Sequence, residues 1–163
     1  MTEVFIGLGS NLGDRVENLR QALEKLDGIM VLGRLSPVYE TAPRYVEDQP
    51  SFLNMAVSGD TVLDPQQLLE QLKRFEIEIG RVPSEERYGP RAIDLDILFF
   101  GEAVIDRPGL VIPHPLMAER EFVLRPLADI AAGKRHPVTG RSVGEMLAAL
   151  GAPGSAVPFP VDV

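Results

Sequence analysis

The stretch Ile93–Phe100, I-D-L-D-I-L-F-F, constrains this chain more than any other. Ile93, Leu95, Ile97 and Phe99 alternate with Asp94 and Asp96. Period two over this length predicts a half-buried β-strand, with the two carboxylates on one face about 6.5–7 Å apart. Ionised carboxylates held side by side repel each other unless a cation lies between them. Oxygen-only ligands suit Mg²⁺, which takes one or two carboxylates and fills its shell with water and phosphate oxygens. The plain alternative is the wet face of a surface strand. Against it, Leu98 and Phe100 continue the acidic face as apolar residues.

Just upstream, Arg81, Arg87 and Arg91 flank a loop containing Pro83, Gly89 and Pro90. Arginines beside a carboxylate pair suggest the two poles of one ligand, a phosphate chain with its magnesium ions. Pairing of these arginines with Glu85 and Glu86 is the simpler alternative. The net charge of −8 speaks against general nucleic-acid binding, which wants a basic face. Of the sixteen basic residues only Lys25, Lys73 and Lys134 are lysine, so the positive charge is of the kind that reads phosphate geometry. At 163 residues the chain predicts one domain over 1–150, with 151–163, which carries three prolines, as an extended or disordered tail. There is no apolar run of about 18 residues, no signal-like start and no cysteine. The expectation is a cytoplasmic monomer with neither membrane nor nucleic-acid partners.

In chain order, Glu3–Ser10 reads as a buried strand whose Gly7 and Gly9 let a loop or ligand approach the backbone. These glycines lack the third glycine of a dinucleotide fingerprint. Asp14 is a candidate N-cap for a helix carrying Val16, Leu19, Leu23 and Leu26, ended by Gly28. Residues 29–41 and 52–62 read as a second and a third strand. The proline-flanked loop between them has Gln49, Phe52 and Asn54 at its exit. An aromatic plane beside an amide suits a flat heterocycle, although a core phenylalanine and a satisfied amide would look the same. Pro65 opens a second helix, with Glu76 set close to its apolar stripe. After the acidic strand come a small hairpin, His114 stiffened between Pro113 and Pro115, a helix from about Leu116, and a closing helix over 142–150. His136 reads as an exposed loop residue. The order strand–helix–strand–strand–helix–strand predicts an α+β fold. It would have a ferredoxin-like βαββαβ core, a mainly antiparallel sheet, an added hairpin and C-terminal helices.

Five ordered segments carry a resemblance. They are I-G-L-G-S-N-L-G-D at 6–14, Y-E-T-A-P at 39–43, Q-P-S-F-L-N at 49–54, R-Y-G-P-R-A-I-D-L-D-I at 87–97 and I-P-H-P-L-M-A-E-R-E-F-V-L at 112–124. Together they resemble the 6-hydroxymethyl-7,8-dihydropterin pyrophosphokinases of folate biosynthesis, over about Phe5 to Ala131. The resemblance implies transfer of a pyrophosphoryl group from ATP to the pterin's hydroxymethyl oxygen, with release of AMP. It implies two Mg²⁺ ions on Asp94 and Asp96, with Arg81 and Arg91 as catalytic partners. The pterin would lie between Phe52 and Phe122 with Thr41 and Asn54 on its edge. Glu76, Arg81, Tyr88, Arg91, Ile97, His114 and Arg120 would contact ATP. Tyr88 stands where the family commonly has tryptophan. The loops at 43–50 and 81–91 are expected to be mobile when empty and to fold over the ligands together. The alternatives are a non-catalytic βαββαβ regulatory module, which would be indifferent to magnesium, and an RNA-binding sheet, which would want basic charge and an aromatic run.

Overall fold

The computed structural model describes residues 1–42, 48–80, 91–151 and 155–163. Arg81, Tyr88 and most of both expected lid loops lie outside the described residues.

Strand β1 (Thr2–Ser10) leads to helix α1 (Arg15–Asp27), then strands β2 (Val31–Leu35), β3 (Tyr39–Thr41) and β4 (Phe52–Thr61). Helix α2 (Pro65–Ile79) precedes β5 (Asp94–Phe100) and the hairpin β6 (Ile105–Arg107) and β7 (Leu110–Ile112). A short 3₁₀ turn, helices α3 (Glu121–Ala131) and α4 (Val143–Ala149), and strand β8 (Ala156–Pro158) complete it. The main sheet runs β5-β1-β4-β3-β8, with β2 also on β4, and each described pairing is antiparallel. This is the ferredoxin-like α+β arrangement that the order of periodicities predicts.

Local chemistry fixes the helix starts. Asp14 Oδ1 accepts the Glu17 N–H at 3.2 Å, capping α1. Asp64 and Gln67 form a reciprocal capping box in front of Pro65, and Ser142 and Glu145 do the same for α4. Helices α1 and α2 cover one face of the sheet. There Leu19, Leu26, Leu68 and Leu72 meet Val4, Ile6, Leu8, Leu53, Leu95 and Ile97 in a dry core. Burial of such a side chain contributes up to about 1.5–3 kcal/mol. Helices α3 and α4 cover part of the other face, against Phe5, Ala56, Leu98 and Phe99.

Three features depart from the sequence reading. The second strand is two strands, β2 and β3, which lie one after the other along β4. Pro37 has no N–H for a ladder, and the break is bridged by Ser36, whose N–H donates to Ala56 O while its hydroxyl accepts the Ala56 N–H, both at 2.9 Å. Phe99 does not share a face with Ile97. Ile6 pairs with Ile97 but Phe5 pairs with Phe99, so Leu98 is the extra residue of a β-bulge. Leu98 and Phe99 therefore both join the α3–α4 core, and Phe100 swings to the α1–α2 side. His136 is not simply exposed: it stands edge-on to Phe99, with ring centroids 6.2 Å apart.

Candidate active site

Strand β1 divides its residues unequally. Toward α1 and α2 it presents Val4, Ile6 and Leu8; toward α3 it presents Phe5, Gly7 and Gly9. The two glycines leave a floor without side chains, and a cavity of about 360 Å³ opens above it. The approach is close at Gly9, where a Cβ would come within 2.9 Å of Asn54 Nδ2, and looser at Gly7, where Leu98 Cδ2 would be 3.4 Å away.

The acidic pair faces this floor. Asp94 is registered opposite Gly9 and Asp96 opposite Gly7, so no side chain on β1 stands across from either carboxylate. Both are half-buried and both line the cavity. The described residues contain no cluster of three or more acidic or histidine side chains arranged for a metal. Two carboxylates opening on a cavity nonetheless fit Mg²⁺, whose other ligands are water and substrate phosphate.

Thr41 on β3 and Asn54 on β4 are diagonal neighbours, since Thr41 pairs with Phe52 and Asn54 with Tyr39, and both are buried. Thr41 Oγ1 donates to Asn54 Oδ1 at 2.6 Å. That bond sets the orientation of the amide and turns its Nδ2 toward Gly9 and the cavity. Phe52, two residues before Asn54 on the same face of β4, and Phe122, from the first turn of α3, are half-buried and line the same space. The Arg120 guanidinium carbon lies 5.4 Å from the centroid of the Phe122 ring, linking a cation to the aromatic wall.

His114 is held by the bulge in β5. Its backbone N–H donates to Leu98 O at 3.1 Å, the carbonyl of the extra residue. Its Nδ1 accepts the Leu116 N–H at 3.2 Å, which leaves the proton of a neutral ring on Nε2. Nε2 stands 4.0 Å from Asp96 Oδ2. Burial, and then the nearby Arg120 charge, push the pKa of His114 down to about 4, so it presents a neutral N–H donor to the cavity at ordinary pH.

Arg91 is buried and lines the cavity with Arg120. Glu76 and Ile97 do not line it. Glu76 is buried on α2 and its Oε2 accepts the Leu95 N–H at 2.8 Å, binding the outer edge of β5. Ile97 points into the α1–α2 core. Its backbone lies two residues beyond Leu95 on that same outer edge, so a contact with nucleotide would run through backbone.

Sequence reasoning did not single out Asn11. Asn11 is buried at the end of β1. Its Oδ1 accepts the Arg91 N–H at 2.7 Å, and its Nδ2 donates to Gln49 Oε1 at 2.8 Å and Pro50 O at 3.0 Å. Its own N–H and that of Leu12 both donate to Arg91 O at 3.0 Å. One amide thus joins the exits of the two loops that flank the site. The only sequence signal was an asparagine directly after Gly9 and Ser10, which reads equally well as a turn.

Comparison with known proteins identifies the family. The chain is 49% identical over 142 residues to the folic acid synthesis protein fol1 of Pneumocystis carinii, matching 86% of this chain and about a fifth (19%) of that protein's length. It is 39% identical over 145 residues to the 2-amino-4-hydroxy-6-hydroxymethyldihydropteridine pyrophosphokinase of Aquifex aeolicus, covering 89% of this chain and 90% of that one. In shape it is similar to the Plasmodium falciparum HPPK-DHPS crystal structure with pteroate, with a TM-score of 0.75 at 18% identity over 91% of this chain and 42% of that one. The profile of the 7,8-dihydro-6-hydroxymethylpterin-pyrophosphokinase (HPPK) family matches residues 5–132, a run from the glycine strand through the α3 wall of the cavity, and the chain belongs to that family.

Proposed function

We propose that this protein transfers a pyrophosphoryl group from ATP to the hydroxymethyl oxygen of 6-hydroxymethyl-7,8-dihydropterin and releases AMP. The observation that carries this reading is the convergence on one glycine-floored cavity of Asp94 and Asp96 from one side and of Phe52, Asn54 and Phe122 from the other.

In this reading Phe52 and Phe122 hold the pterin ring, and the oriented Asn54 amide, fixed by Thr41, reads its edge. Asp94 and Asp96 would hold two Mg²⁺ ions, which when bound supply charge neutralisation at the triphosphate. Arg91 and Arg120, with Arg81 from the loop, neutralise phosphate oxygens, and His114 Nε2–H donates to one of them. Tyr88 contacts the nucleotide as the family resemblance implies, while Glu76 and the backbone at Ile97 border its base. No side chain acts as a nucleophile. The hydroxymethyl oxygen attacks the β-phosphorus and loses its proton to solvent, the bond from that phosphorus to the oxygen bridging it to the α-phosphate breaks, and AMP departs with that oxygen. The protein's work is positioning and charge compensation. The reading takes the protein as a cytoplasmic monomer; among the described residues no helix is long and apolar enough to cross a membrane.

The test is AMP release from ATP and Mg²⁺ with and without the hydroxymethyl dihydropterin, with a phosphorus NMR spectrum of the pterin product. AMP that depends on pterin, together with a diphosphate ester, is the expected result. A single transferred phosphate, or no AMP, would overturn the proposal.

A further inference from the structure

The C-terminal strand lies beyond the stretch that matches the family profile, yet it touches both walls of the ring-binding end of the cavity. Strand β8 extends the sheet on the outer side of β3, pairing Thr41 with Ala156, Glu40 with Val157 and Tyr39 with Pro158. The Phe159 N–H then donates to Val38 O at 2.8 Å. Past this point the chain is anchored on α1. Phe159, Val161 and Val163 pack against the main core, Arg15 lies over the Phe159 ring at 5.6 Å, and Arg20 Nη2 donates to Asp162 O at 3.2 Å. At the opposite end of the segment, Ser155 Oγ donates to Glu121 Oε2. Glu121 is the buried first residue of α3, between Arg120 and Phe122.

Strand β3 has only three residues, and without β8 it would be a short edge strand held from one side. It carries Thr41, which orients Asn54. Ser155 is bonded to the turn of helix that carries Phe122. One extended segment therefore reaches from the Thr41–Asn54 wall to the Phe122 wall. The acidic pair lies on β5, at the opposite edge of the sheet.

We propose that residues 155–163 are a positioning strap for the pterin end of the site, setting the gap between Asn54 and Phe122, with Ser155 and the β8 ladder as its working contacts. This rests on the reading that a flat ring binds in that gap. A strap acting there changes pterin recognition and leaves nucleotide recognition alone, which a general loss of stability would not do.

The experiment uses the full-length chain and three variants: Ser155→Ala, which removes one hydroxyl; Ser155→Thr, which keeps it; and Val157→Pro, which interrupts the ladder at an exposed position. Calorimetric titration with 6-hydroxymethyl-7,8-dihydropterin in the presence of a non-hydrolysable ATP analogue, and with that analogue alone, is combined with KM for each substrate. The expected result is a loss of pterin affinity of about fivefold to tenfold in Ser155→Ala and Val157→Pro. Ser155→Thr should lie within about twofold of wild type, and analogue affinity should be unchanged in all three. Wild-type pterin affinity in Ser155→Ala and in folded Val157→Pro would overturn the strap, as would equal losses for both ligands. A wild-type protein that binds the analogue but no pterin would instead overturn the site reading on which the strap rests.

Discussion

The two faces of the central sheet are built from the same strands and do opposite things. Under α1 and α2 the strands contribute large aliphatic side chains, Ile6 and Leu8 from β1 and Leu95 and Ile97 from β5, packed into one buried core. Under α3, the same residues' neighbours are Gly7, Gly9, Asp94 and Asp96, and a cavity stands where a core would be. The contrast teaches that the site is an omission in the packing as much as an addition of polar groups. A strand that supplies glycine where its other face supplies leucine gives the carboxylates across from it room for a ligand. The dry face then has to supply the stability that the open face forgoes.

That comparison can be broken by exchanging the properties of the two faces. Asp96→Asn or Asp94→Asn, which preserves shape, is expected to cut AMP formation by about a thousandfold or more, with the urea midpoint little changed. Leu8→Ala, one residue from Gly7 and Gly9 but on the other face, should do the reverse. It should cost about 2–5 kcal/mol of stability while kcat of the folded protein stays within about twofold. If both substitutions damaged catalysis and stability alike, the division of labour between the faces would be wrong.

A titration sharpens it next. His114 borders the open face with a pKa of about 4, below its ordinary 6.5. Between those values the unfolded chain takes up a proton that the folded chain refuses, so stability is full above pH 6.5 and falls as pH drops toward 4. For the metal-free protein this loss should reach about 3 kcal/mol, read as a falling urea midpoint that flattens in His114→Gln. An imidazole resonance titrating near 6.5 would refute it.

The smallest effect compares two glycines on one strand. Gly9→Ala pushes a methyl to within 2.9 Å of Asn54 Nδ2, whereas Gly7→Ala meets Leu98 at ordinary contact distance. Pterin KM should rise about tenfold in the first and less than about threefold in the second, and equal responses would show that the floor is not read at Gly9.

Much of the frame was legible in the chain because its signals are local. Asp14 and Ser142 announce their helices through bonds made within one turn, Pro65 announces its helix through a backbone angle already set for the first turn, and the D-x-D alternation places both carboxylates on one face wherever the strand ends up. What was missed depends on partners distant in sequence. The bulge at Leu98 exists only against Phe5 and Ile6 of another strand, so alternation alone misplaced Phe99. The interruption at Ser36–Pro37 is repaired by Ala56. Asn11 gains its meaning from Arg91 and Gln49, 80 and 38 residues away. Among the expected ligands, Thr41, Phe52, Asn54, Arg91, Asp94, Asp96, His114, Arg120 and Phe122 converge on the cavity, whereas Glu76 and Ile97 stand at the rim of β5.

The extra residue in β5 has a consequence for how this strand can vary. Leu98 is a phase shifter: before it, odd positions are dry, and after it, even ones are. Its displaced carbonyl is also the peg on which the His114 segment hangs. Deleting that one position would restore a regular pleat with Phe99 and Phe100 still on their own sides, but it would take Leu98 out of the α3–α4 core and leave the histidine without its anchor. The added residue is therefore an asymmetric device: the layer under α1 and α2 would survive its loss, while the cavity side would lose one packed side chain and the support of the His114 wall together.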